Sequence, residues 1–63
     1  MKEFRVVYEA LSKTLNEHVN YSHDDEFNWY FDCNGEMFKV RKYDGAVHYQ
    51  SGNNAWEYDF DLF

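Results

Sequence analysis

The hydrophobic period of this chain changes once, and that change restricts the fold more than any other feature. Up to Val19 the residues Phe4, Val7, Tyr8, Leu11, Leu15, His18 and Val19 recur at spacings of three and four. Such spacing builds one face of a helix. Arg5, Glu9, Lys13 and Glu17 lie opposite, four apart and alternating in sign. Each such pair adds about 0.2–0.5 kcal/mol and keeps the outer face hydrated. The pattern predicts a helix over residues 1–19. From Asn20 through Ser22, His23, Asp24, Asp25 and Glu26 the periodicity is lost, which predicts a polar connecting loop.

From Phe27 the period becomes two. Phe27, Trp29, Phe31 and Cys33 alternate with Asn28, Tyr30 and Asp32, and Asn34-Gly35 follows. That dipeptide suits a two-residue hairpin turn, because both positions tolerate positive φ. Phe38 and Val40 then alternate with Met37, Lys39 and Arg41, and Asp44-Gly45 offers a second turn. Val47 and Tyr49 alternate with His48 and Gln50 before a looser connection, Ser51-Gly52-Asn53-Asn54. The last run sets Trp56, Tyr58, Phe60 and Leu62 against Glu57, Asp59, Asp61 and Phe63. The expectation is a single α+β domain over residues 1–63, one N-terminal helix packed on a four-stranded antiparallel β-meander. The helix would cover one sheet face. The open face would present Tyr30, Met37, Lys39, Arg41, His48, Glu57, Asp59 and Asp61.

Sixty-three residues suffice for one domain with a thin core, burying about 60% of the chain's surface. Aromatic residues make up 22% of the chain, so rings must fill much of that core. Cys33 is the one cysteine, which excludes an intramolecular disulfide and an all-cysteine zinc site. A small chain without such a staple is expected in a reducing compartment. The start, Met1-Lys2-Glu3-Phe4-Arg5, lacks the apolar stretch of a secretory signal, and no apolar run approaches the ~20 residues of a membrane span. The expected location is the cytoplasm.

No residue constellation points to catalysis. Ser22-His23-Asp24 has the residue types of a nucleophilic triad, but consecutive side chains diverge. Cys33 continues an inward row and reads as a buried structural thiol. His18, His23, His48 and the run Asp24-Asp25-Glu26 match neither a zinc spacing nor a calcium loop, so neither metal nor other cofactor is expected. Gly35, Gly45 and Gly52 are too dispersed to cradle a phosphate and are explained as turn residues.

Charge is more informative. Twelve acidic residues against six Lys and Arg give a formal charge of −6. That field disfavours direct binding to nucleic acid or to an anionic membrane, and favours a partner with a basic surface. Glu57, Asp59 and Asp61 recur at a spacing of two, hence about 6.8 Å apart on one strand face. Phosphates on one DNA strand advance about 3.4 Å per residue, so two steps cover the same distance. Asp24, Asp25 and Glu26 would extend this acidic track from the loop before the sheet. The expected function is therefore a non-catalytic acidic protein, either monomeric or homodimeric, that blocks a basic, nucleic-acid-binding surface on a larger protein. The alternative is a structural or adaptor module that docks or dimerises through Tyr30, Met37, Lys39 and Arg41 on the open face.

In size and surface chemistry the whole chain resembles the short inhibitors that phages encode against host defence, among them anti-restriction DNA mimics and anti-CRISPR proteins. The resemblance implies a host-cell cytoplasmic setting and a host defence protein as target. These inhibitors share no single fold, so it assigns no residue a role.

Overall fold

Helix α1 (Phe4–Leu15) turns its apolar stripe onto the sheet: Val7 and Leu11 are buried, and Tyr8 and Leu15 pack beside them. The computed structural model describes residues 3–52 and 54–63. Met1 and Lys2, included in the sequence-based helix, lie outside the described residues. The helix also ends earlier than the periodicity predicts. Asn16 adopts the left-handed conformation (φ 56°), its N–H bonding to the Lys13 carbonyl while that of Glu17 bonds to the Ser12 carbonyl. This paired closure is a Schellman motif, and asparagine is among the few residues that enter it at low cost. His18 and Val19 thus leave the helix. Val19 nevertheless reaches the core, which is why it continues the apolar spacing.

Five strands follow in sequential antiparallel order: β1 (Asn20–Asp24), β2 (Asn28–Cys33), β3 (Glu36–Arg41), β4 (Ala46–Gln50) and β5 (Trp56–Asp61). The α+β meander therefore has one strand more than the four predicted. The additional strand is β1, cut from the polar stretch read as a loop. All five of its residues are exposed, so it carries no apolar alternation. Its main-chain pairing with β2 defines it instead.

The core lies between α1 and one sheet face. It comprises Val7, Leu11, Val19, Trp29, Phe31, Cys33, Phe38, Val40 and Val47, with Tyr49, Phe60 and Leu62 at its margin. Asn34 and Gly35 both take positive φ, 53° and 82°, in the two-residue β2–β3 turn. Gly45, at φ 76°, closes the β3–β4 turn by donating its N–H to the Arg41 carbonyl. Phe27 is not part of the inward row: it sits in the β1–β2 turn and is exposed. The predicted third connection includes Asn53, which lies outside the described residues.

Both edge strands contain a register shift. In β1, Tyr21 pairs with Phe31 but His23 pairs with Tyr30, leaving Ser22 as an extra residue. In β5, Phe60 pairs with Val47 but Tyr58 pairs with His48, leaving Asp59 extra. One extra residue reverses the face to which the preceding side chains point. Among the described residues no helix is long and apolar enough to cross a membrane.

Candidate functional site

The bulge at Asp59 decides which side chains occupy the open face. Residues directly opposite in an antiparallel pair share a face. Trp56 pairs with Gln50 and Tyr58 with His48, so both aromatic residues stand on the open side instead of in the core where strict alternation puts them. Glu57 pairs with Tyr49 and lies on the helix side; Asp61, beyond the bulge, returns to the open side. The predicted row Glu57, Asp59, Asp61 is therefore divided between two faces and an irregular position. All three remain exposed on an edge strand.

The second acidic group is occupied with holding the β1–β2 turn. Asp25 Oδ1 accepts hydrogen bonds from the backbone N–H groups of Phe27 (2.9 Å) and Asn28 (2.8 Å), and Oδ2 accepts one from the Tyr30 hydroxyl (2.9 Å). Those donors, the backbone ones foremost, hold the Asp25 carboxyl below the usual carboxylate range. Asp24 accepts from Lys42 Nζ at 2.8 Å and from the Tyr21 hydroxyl, and its pKa is lowered first by the lysine. Only Glu26 of the three is without such a bond among the described residues.

The residues of the alternative site do come together. Tyr30, Met37, Lys39 and Arg41 all occupy the open side of β2 and β3. Successive registers align His23, Tyr30, Lys39, His48 and Tyr58 in one line across all five strands. The His23 ring stacks on Tyr30 with centroids 4.4 Å apart and planes within 10°. His48 meets Tyr58 edge-on at 5.7 Å. Trp56 lies beside the line, 6.1 Å from Tyr30 and 4.6 Å beneath Lys39 Nζ. Burial raises the Tyr30 and Tyr58 phenol pKa values, assisted by Asp25 and Asp61 respectively, so both hydroxyls stay protonated, that of Tyr30 donating to Asp25.

Beside the line opens a shallow cleft of about 370 Å³, bounded by Phe27, Asn28, Lys39, Arg41 and His48. Arg41 spends two donors on Asp44, at 2.9 and 2.8 Å, and this pairing brings the Asp44 pKa down to about 2. Lys42 is bound to Asp24, so of the three cations on β3 and its turn Lys39 alone stands outside the described ion pairs, its described contact being an aromatic ring.

Cys33 is buried and its thiol pKa is raised, chiefly by desolvation. Among the described residues no three His, Cys, Asp or Glu side chains are grouped so as to hold a metal ion. Sequence reading missed Trp56, Tyr58 and His23 as open-face residues. The only signal for the first two was Asp59, a polar residue able to occupy a bulge, and alternation alone does not reveal it.

No known protein family matches this chain, and neither does any curated protein or solved structure.

Proposed function

We propose that this chain is a non-catalytic binding module that docks on a partner protein through its open sheet face. The observation that carries this reading is the cross-strand line of His23, Tyr30, Lys39, His48 and Tyr58, flanked by Trp56. Tyr, Trp, Met and Arg are the side chains that dominate well-packed interface centres. A bulge in each of the two edge strands discourages pairing with another strand and leaves the face as the available contact surface. The setting proposed is the cytoplasm, where a small fold with a single unpaired thiol is at no disadvantage.

Site-specific photocrosslinking tests this. A benzophenone amino acid replacing Tyr58 or Met37 should trap a discrete partner in the source cell, whereas one replacing Glu9 on α1 should not. Crosslinks obtained only from α1 would overturn the reading.

A second reading rests on the formal charge of −6. Glu26, Glu57 and Asp59 are exposed and outside the described ion pairs. They would direct the module to a basic, nucleic-acid-binding surface of a host defence protein, in the manner of a phage inhibitor. The acids then act through their summed field rather than as a phosphate-spaced track. Raising salt separates the two: a charge-led complex weakens steeply, while an aromatic sheet-face contact changes little.

A further inference from the structure

Lys39 is at the middle of the five-residue line, with Tyr30 and His48 on adjacent strands and Trp56 beneath its amine. In a chain with twelve acidic residues, no carboxylate among the described residues stands within ion-pair distance of it. The neighbouring cations Arg41 and Lys42 are both so paired. An ammonium held over an indole keeps donors directed outward, and excluding water from it on docking favours an anionic or strongly accepting group opposite.

The same placement disfavours a second copy as occupant. A two-fold, face-to-face stack centred on this line brings one Lys39 toward the other, with two chains of charge −6 in contact. Nucleic acid is disfavoured as well, because a polyanion meets the whole acidic field while a short segment meets mainly the local cleft.

We infer that the open face takes a short segment of a partner protein in which aromatic side chains flank a carboxylate, the carboxylate seated at Lys39 and the rings on Trp56, Tyr30 and Tyr58. This rests on the open-face reading above and adds the partner's chemistry. The cleft bounded by Phe27, Asn28 and His48 gives the segment a recess beside the amine.

The test uses amide and indole NMR of the full chain with three probes: a short peptide alternating Trp or Phe with Glu, its Glu-to-Gln counterpart, and oligothymidylate. The Glu peptide should shift outward-facing residues of β2 to β5 and the Trp56 indole. Lys39→Met should weaken it about tenfold, equivalent to about 1.4 kcal/mol. Lys39→Glu should weaken it further and spare the Gln peptide. Equal binding of the Glu and Gln peptides, unchanged in Lys39→Met, overturns the carboxylate assignment but leaves the docking face standing. Shifts confined to α1 overturn both. Preferential binding of oligothymidylate to the face, or a dimer by sedimentation that Trp56→Ala dissolves, also overturns the inference.

Discussion

At the residue scale, two positions connect sequence chemistry to a measurable property. Cys33 ends the inward row of β2 and is buried, with its thiol pKa raised chiefly by desolvation. Thiolate is the reactive species, so labelling of the native protein should be slow and should accelerate on denaturation. Rapid native labelling would contradict its placement. Gly45 is constrained twice: its φ is 76°, and a Cβ there would lie 2.8 Å from the Phe63 ring. Leu62 also donates its N–H to the Gly45 carbonyl at 2.8 Å, so the turn and the final residues are coupled. Gly45→Ala should cost about 1–3 kcal/mol by overpacking alone, read from the midpoint of chemical denaturation. Gly35→Ala separates the two causes, since its φ is also positive but nothing lies within 4 Å of a Cβ. Equal losses in both variants would mean that the Phe63 contact contributes nothing.

At the element scale, legibility followed the strength of the periodic signal. Helix α1, Asn34-Gly35, and the inward rows of β2, β3 and β4 could all be read, because burial on one side sets their period and an explicit turn joins β2 to β3; the left-handed cap at Asn16 that ends α1 could not. Strand β1 could not. Asn20, Tyr21, Ser22, His23 and Asp24 are all exposed, and an edge strand held by main-chain bonds has no side-chain signature. Strand β5 was found but its face was misassigned, because one extra residue at Asp59 inverts the alternation for Trp56, Glu57 and Tyr58. The candidate acidic row failed for this reason, and the same bulge placed Trp56 and Tyr58 on the open face. The bulge can be tested directly. Asp59→Ala keeps the register and should change stability by no more than about 0.5 kcal/mol. Deleting Asp59 removes the extra residue and leaves Tyr58 opposite His48 and Phe60 opposite Val47 in a regular ladder, so Trp56 and Tyr58 stay on the open face, Phe60 and Leu62 stay on the core face, and the fold should survive. If the deletion instead unfolds the protein, as it would in a strictly alternating strand, the register of β5 is not the one described.

At the scale of the whole molecule, its carboxylates serve different purposes at the two ends of the sheet. Asp24, Asp25 and Asp44 all have lowered pKa values, and all brace the end that carries the β1–β2 and β3–β4 turns. Lys42 ties those turns together, donating its backbone N–H to Phe27 and its amine to Asp24. A carboxyl whose folded pKa lies below its unfolded value stabilises the fold above the unfolded value, near 4, and loses that contribution as pH falls through the folded one. For Asp44 the loss extends to about pH 2. Stability should thus decline below about pH 4, with amide protection around Phe27, Asn28 and Ala46 lost before that of Phe31 and Val40. Simultaneous loss of all these amides would show that the turn carboxylates do not brace this end separately.

The remaining acids test whether charge has a place as well as a sum. Changing Glu57 and Asp59 together to Lys alters the formal charge by +4, from −6 to −2, and so does changing Glu9 and Glu17. The two variants have the same net charge but place the change on β5 or around α1. All four side chains are exposed, so neither variant should unfold the protein. A partner held by the open face should respond to the two similarly, through long-range attraction or repulsion that disappears at high salt. A phosphate-like contact surface on β5 would instead lose charge-assisted hydrogen bonds of about 1.5–3 kcal/mol each in the first variant only. Affinities measured for the crosslinked partner at low and high salt distinguish these outcomes. Equal changes that vanish with salt place the specific contacts on the aromatic line; a loss confined to the β5 variant and persisting in salt places them on the acidic edge.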